Sequence, residues 1–173
     1  MNQINCIGIF PNNFSTNIPI NKYVHIHLDE KLIKTKFIQE VVSESNGIPL
    51  ESAKVVVAGG RGLGDAKNFD LLRELAEVLG GAVGASRAVC DAGWLDHSLQ
   101  IGSSGQVVSP KLYLALGISG AIQHVVGMKG SGCILVINKD KNAPIFEIAD
   151  YGVVGDIMEI VPKLNSALQE VSG

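Results

Sequence analysis

Several things are scarce in this chain, and each scarcity excludes something. Basic charge is not in excess: 14 Lys and Arg stand against 17 Asp and Glu, for a net charge of -3. That balance offers no broad electrostatic footprint for nucleic acid. No apolar run approaches the roughly 20 residues that a membrane span needs. Cysteine is limited to Cys6, Cys90 and Cys133, an odd and scattered set without a CxxC pair. Such usage suits a reducing cytoplasm and argues against a zinc site or a disulfide framework. The first ten residues lack a basic segment and a long apolar core, so they read as neither a secretory signal nor a transit peptide. Walker-type GxxxxGK[ST] and nucleophile-elbow GxSxG sequences are also missing, which counts against a P-loop ATPase and an ordinary serine hydrolase.

What is present is glycine, 20 residues of it, within a chain that is 46% hydrophobic and 18% charged. That is a globular balance, not a disordered one. The glycines cluster at the ends of short apolar runs, as strand-to-helix turns require. The run beginning Lys54-Val-Val-Val-Ala predicts a buried strand. An amphipathic helix is expected over 65–79, with Phe69, Leu72, Leu75, Ala76 and Leu79 on one side. Further strands are expected over 82–85, 112–116 and 134–137, with a short helix through Val89 and Cys90 and another over 121–128. Residues 94–108 read as a long loop of the kind that more often serves function than connection. Residues 145–149 and 151–154 read as short extended pieces, and a final helix is expected over 157–171. This alternation predicts an α/β fold with a doubly wound, mainly parallel sheet.

Residues 1–50 are weakly patterned and read as an extension that holds a strand and a helix, with the domain proper over 51–173. Asn5–Phe10 and Val24–Leu28 could form strands, Pro11–Asn21 a loop and Leu32–Ser45 a helix. His25 and His27 would share one strand face. Without further ligands at a suitable spacing they read as a polar face and not as a metal site.

The turn Gly60-Arg-Gly62-Leu-Gly64 follows a strand and opens a helix, as a phosphate turn should, but its spacing is GxGxG. The second strand ends in Ser86 and Arg87, where an ordinary NAD fold carries an acid. Close packing of the turn alone therefore stands beside phosphate binding as a reading. The turn Gly117-Ile-Ser-Gly120 resembles an anion site at a helix start, with Ser119 as N-cap. Arg61, Ser86, Arg87, Ser103, Ser104, Ser119, Gln123, His124, Asn138 and Asp156 all follow apolar runs or lie in the long loop. In an open parallel sheet such positions gather at the carboxyl edge. Their hydroxyls, amides and two guanidinium groups suit an extended ligand with phosphates in its middle.

The stretch from Leu112 to Met128, Leu-Tyr-Leu-Ala-Leu-Gly-Ile-Ser-Gly-Ala-Ile-Gln-His-Val-Val-Gly-Met, resembles the signature of the electron transfer flavoprotein alpha subunit. So do Gly59-Gly-Arg-Gly-Leu, Val83-Gly-Ala-Ser-Arg-Ala, the stretch from Ile137 to Phe146, and Ala149-Asp-Tyr-Gly-Val-Val-Gly-Asp. The resemblance implies a Rossmann-like FAD-binding domain that works beside a beta-type subunit or in a self-associated dimer. It implies an electron carrier fed by a flavin dehydrogenase, not a catalyst with a substrate of its own. Arg61, Ser119 and Asn138 look like ligands of the phosphate region, and Ser86 and Arg87 lie where the family meets the isoalloxazine ring. Ser104 replaces a usual threonine near flavin N5, which keeps the hydroxyl with a freer rotamer. Gln123 and His124 match a Gln-His pair, with the histidine near flavin O2. Asp156 and Ile157 match the adenosine end. Ile101, Gly102 and the segment Gly120-Ala121-Ile122 match approaches of the backbone to the cofactor. The family usually has glutamine where this chain has Ser103, which leaves that contact to the backbone. A positive His124 or Arg87 would stabilise negative charge on the reduced ring and raise its potential.

The family has a whole α/β domain ahead of this one, where this chain has residues 1–50. That departure fits a shortened alpha-subunit-related protein or a fragment of a longer gene product, and it motivates an alternative: a nucleotide-binding or assembly protein that kept the fold without redox function. An enzyme using NAD is a further alternative, against which the missing second-strand acid counts.

Overall fold

The computed structural model describes residues 48–172. The expectations for Asn5–Phe10, Pro11–Asn21, Val24–Leu28 with His25 and His27, and Leu32–Ser45 lie outside the described residues. Five strands form one sheet: β1 (Val55–Gly59), β2 (Ala82–Ala85), β3 (Leu112–Leu116), β4 (Ile134–Asn138) and β5 (Tyr151–Val154). All neighbouring pairs are parallel, in the order β2-β1-β3-β4-β5. Four α-helices accompany them: α1 (Phe69–Val78), α2 (Arg87–Cys90), α3 (Ile122–Val126) and α4 (Ile157–Ser172).

Strand periodicity sorts the apolar residues between two cores. Val57, Leu114, Leu116 and Ile137 join Phe69, Leu72, Leu75, Ala76, Ile157 and Val161, which places α1 and α4 on one face. Val56, Ala58, Tyr113, Ala115 and Val136 face the other way, toward Ile101, Val108, Met128 and Ile145. Both faces of the central strands are thus covered, as a parallel sheet demands. β5 is different, because all four of its residues are exposed.

The strand order reverses between β1 and β3. In open α/β sheets that reversal leaves a crevice at the carboxyl ends of the two strands. Here it is bounded by two glycine turns packed directly on each other. The Gly60 amide donates to the Leu116 carbonyl at 2.9 Å and the Gly62 amide to the Gly117 carbonyl at 3.0 Å. A Cβ on Gly60 would lie 2.2 Å from the Gly117 oxygen, so the first turn of the GxGxG run is needed for backbone-to-backbone contact. The packing reading of that turn holds, whatever else the turn does.

Three local expectations are corrected. Residues 144–148 form a 3-10 helix with Pro144 at its start, not an extended piece. The proline ring sets a helical φ and has no amide to leave unpaired. Helix α3 spans only Ile122–Val126 and stops at Gly127, whose Cβ would lie 2.5 Å from Gly102. Ser119 does not cap it. Ala121 holds the cap position without a side-chain bond, because Gly120 at φ 92° turns the chain between them. The expected long loop 94–108 is stitched to the sheet: the Ile101 amide donates to the Ala85 carbonyl at 2.9 Å, extending β2.

Candidate functional site

The crevice at the β1/β3 reversal encloses about 540 Å³. That falls within the roughly 300–1,000 Å³ typical of cofactor sites. Arg61, Ser86, Arg87, Ile101, Gly102, Ser104, Ser119, Ala121, Gln123, His124 and Asn138 all line it. A smaller adjoining hollow contains Asp156 and Ile157 and shares Gly62, Gly117 and Asn138 with the first. Ser103, Gly120 and Ile122 line neither hollow. The Ser103 amide is engaged by the Gln123 carbonyl at 2.8 Å, Gly120 backs onto Ile145, and Ile122 is exposed.

The two arginines arrive on the turns after β1 and β2. Arg61 opens a 3-10 turn, and its guanidinium stands 5.6 Å from the centroid of the Trp94 ring. Trp94 in turn meets Phe69 edge-on, with ring centroids 6.5 Å apart. Arg87 starts α2, and its Nε contacts Asp91 Oδ2 at 3.2 Å, one helical turn away. Both arginines are exposed, so their charge reaches the crevice at little desolvation cost. A helix as short as α3 aligns few peptide dipoles, so attraction for an anion falls chiefly to these side chains.

The opposite wall is buried. Tyr113 projects from β3 into the core under α3, and its Oη lies 2.9 Å from His124 Nε2. Burial pushes the Tyr113 phenol upward from its ordinary value. Burial also pushes His124 down to about 4, a fall only partly opposed by the Ile101 backbone. His124 is therefore a neutral imidazole at pH 7. Of the two groups named as possible cations, His124 is held neutral because desolvation outweighs what would favour its charge.

The tautomer follows from the bonds available. Among the described residues the Tyr113 hydroxyl has Nε2 as its hydrogen-bond partner, and Nδ1 is buried with only a weak contact to the Ile101 backbone. If the phenol donates, the ring proton sits on Nδ1 and one group is unmatched. The reverse assignment leaves two unmatched, so the phenol is the donor.

Asn138, at the end of β4, donates from Nδ2 to the Ile118 carbonyl at 2.9 Å and accepts from the Asp140 amide at 3.0 Å. It ties two turns together while lining the crevice. Asp156 accepts from the Met158 amide at 2.8 Å and caps α4. Asp150 is at the opposite edge of the sheet, where its carboxylate accepts from the Ile134 amide at 2.7 Å. It clasps β4 to β5.

Sequence reasoning missed Asp91 and Asp140 on the rim, and Tyr113, Trp94 and Gln100 behind it. The i, i+4 spacing of Arg87 and Asp91 on a helix was a readable signal. The other four depend on tertiary contacts.

A parallel α/β sheet with a crevice of this size at its order reversal, rimmed by arginines and hydroxyls, defines a nucleotide-binding domain of the doubly wound class. Residues 49–129 match the model of the Electron transfer flavoprotein FAD-binding domain. The chain is 56% identical over 136 residues to electron transfer flavoprotein subunit alpha of Bacillus subtilis, covering 78% of this chain and 42% of the relative. With Protein FixB of Clostridium saccharobutylicum it shares 44% over 166 residues, 95% of this chain and 49% of the relative. With the mitochondrial alpha subunit of Arabidopsis thaliana it shares 47% over 142 residues, 82% and 39%. The matched segment belongs to the electron transfer flavoprotein FAD-binding family. The chain spans under half the length of these relatives.

FAD is the group the family implies, and the crevice fits it. Its volume suits a cofactor of this size, and its rim supplies the guanidinium groups of Arg61 and Arg87 and the hydroxyls of Ser86, Ser104 and Ser119 for an anionic, polar ligand.

Proposed function

We propose that this protein is a FAD-binding electron carrier that works as the alpha subunit of electron transfer flavoprotein does. It would receive electrons from a flavin dehydrogenase and pass them to a second redox partner. The observation that supports this most directly is the crevice itself, which collects eleven of the sixteen expected cofactor residues within one hollow. Bound FAD supplies reversible electron storage. The chain's own residues do the rest. Arg61 and Ser119 would hold the pyrophosphate region, with Asn138 keeping the turns after β3 and β4 in place. Arg87 and Ser86 would lie against the redox ring, Ser104 and His124 would offer it neutral hydrogen bonds, and Asp156 would serve the adenosine end.

We assign the FAD-binding domain to residues 51–173 and treat 1–50 as an extension. A beta-type subunit, or a second copy of the chain, is the partner this reading calls for. The few scattered cysteines suit the cytoplasm.

Purification with co-purifying chains, followed by an absorbance spectrum and FAD titration, tests the reading. Flavin absorbance and saturable uptake are expected. A protein that neither carries flavin nor takes it up removes the proposal and leaves an assembly role. In FAD-loaded protein, Arg87→Ala should lower the reduction potential while keeping much of the affinity, because a cation beside a ring that gains negative charge favours the reduced form. An unchanged potential would take Arg87 out of that role.

A further inference from the structure

The crevice wall formed by the stitched loop contains a file of hydrogen bonds that leads away from the ligand space. At its centre is Gln100, a glutamine only 4% exposed. Its backbone is fixed on both sides. The following amide, of Ile101, bonds to Ala85 at 2.9 Å, and the Gln100 carbonyl accepts from the Gln106 amide at 2.7 Å. A Cβ on Gly105 would lie 2.3 Å from the Gln100 carbonyl, so the loop closes tightly over it. The side chain is held as firmly. Gln100 Oε1 lies 3.1 Å from Nδ1 of His97, an exposed residue, and Gln100 Nε2 lies 3.0 Å from Ser104 Oγ.

The chemistry of the three groups gives the file a direction. A carbonyl oxygen only accepts, so His97 carries its proton on Nδ1. An amide nitrogen only donates, so Ser104 Oγ is an acceptor in this bond. A hydroxyl that has accepted one hydrogen bond still has its own proton to give. Ser104 lines the crevice, and that is where the proton is available.

We infer that Gln100 is a positioning residue that fixes Ser104 as a hydrogen-bond donor toward the bound ligand, with His97 bonded to the outer end of the amide. The inference rests on the FAD reading above and deepens it: at this point the site selects a ligand atom that accepts, such as a ring nitrogen without a proton. Gln100 touches no ligand and acts only through Ser104. Reversing the amide would turn Ser104 from donor to acceptor toward the ligand.

A double-mutant cycle tests it, with FAD dissociation constants and the absorbance bands of bound flavin as readouts. Gln100→Met keeps the volume and removes both side-chain bonds. It should weaken FAD binding about 2–5-fold, part of the net worth of one hydrogen bond, and should shift the bound-flavin bands. In a Ser104→Ala background the same change should add less than twofold and no further shift. In a Ser104→Thr background, where the hydroxyl remains, its full effect should return. Equal effects with and without the hydroxyl, or no effect in either, would overturn the inference while leaving the FAD reading standing. Wild-type protein that takes up no FAD would overturn both. Should Gln100→Met fail to fold, His97→Ala at its exposed position takes its place in the cycle, with about a twofold loss expected only where residue 104 bears a hydroxyl.

Discussion

The two walls of the crevice are built on opposite principles. The wall after β1 and β2 presents exposed charge on side chains that lean on neighbours: Arg61 over Trp94, and Arg87 against Asp91. The wall after β3 and β4, although Asp140 stands on its exposed rim, has a buried and neutral backing. His124, Tyr113 and Asn138 are each less than 8% exposed and are tied to each other or to backbone by bonds of 2.9–3.0 Å. The difference separates two tasks. Exposed cations attract and hold an anion without the penalty of burying charge. Buried neutral groups hold geometry, and a ring placed against them meets a fixed set of donors. Changes on the first wall should alter ligand binding or ligand potential, and changes on the second should cost the fold.

The largest expected effect lies at the seam where the walls meet. The nearest atoms to a Cβ on Gly60 would be backbone: the Gly117 oxygen at 2.2 Å and the Ile118 Cα at 2.8 Å. Backbone cannot rotate aside, so Gly60→Ala should push the walls apart and cost about 3 kcal/mol. Gly64 is the control. It has φ 81° but nothing within 4 Å of its missing Cβ, and Gly64→Ala should cost only about 1–2 kcal/mol through backbone strain. Urea midpoints at unchanged slope measure both. Equal losses at the two sites would mean that the seam is not under the compression described.

A second effect, of similar size, would sharpen the contrast by pH. His124 titrates near 6.5 when unfolded and is pushed down to about 4 by burial in the fold. Between those values the unfolded chain binds the proton and the native one does not, so acid favours unfolding. The contribution is fully present above pH 6.5 and is lost as pH falls toward 4, by roughly 3 kcal/mol. His124→Asn should flatten that part of the stability profile. The exposed Asp96 carboxylate, held below its ordinary value by hydrogen bonds from Ser98, loses its stabilising effect in a lower window, below pH 3.8. A profile that stays sloped between pH 6.5 and 4 in the His124 variant would assign the acid sensitivity elsewhere.

These two walls were not equally legible in the sequence. Arg61, Ser86, Arg87 and Ser119 follow apolar β-branched or aliphatic runs, and a parallel sheet brings such positions to one edge whatever the details. The strands themselves were readable for the same reason. The Tyr113–His124 pair was not, because the two residues sit on different elements and meet only if α3 covers the odd-numbered face of β3. No local pattern states which face that is. Gln100 was hidden by its setting: a polar residue in a glycine-rich loop reads as exposed, and only the bridge to Ala85 buries it. The charge state of His124 could not be read from residue type, because burial decides it. Pro144 was a readable signal for a helical turn that the neighbouring apolar residues obscured.

The smallest effect tests the exposed wall alone. Trp94 is the chain's single tryptophan, and its ring lies under the Arg61 guanidinium while packing edge-on against buried Phe69. A cation–π contact at an exposed site is worth about 0.5–1 kcal/mol. Trp94→Phe keeps an aromatic face for the arginine, whereas Trp94→Leu keeps bulk but no π system. If the contact aims Arg61 into the crevice, Trp94→Leu should weaken FAD binding about 2–5-fold, and Trp94→Phe should recover most of that loss. Neither should change the bound-flavin spectrum, since Arg61 is assigned to the pyrophosphate region and not to the ring. Arg61→Leu should abolish the difference between the two Trp94 variants, because the ring then has no cation to hold. An unchanged difference in that background would show that Trp94 serves Phe69 and α1 packing instead, and that the exposed wall holds its arginine without help.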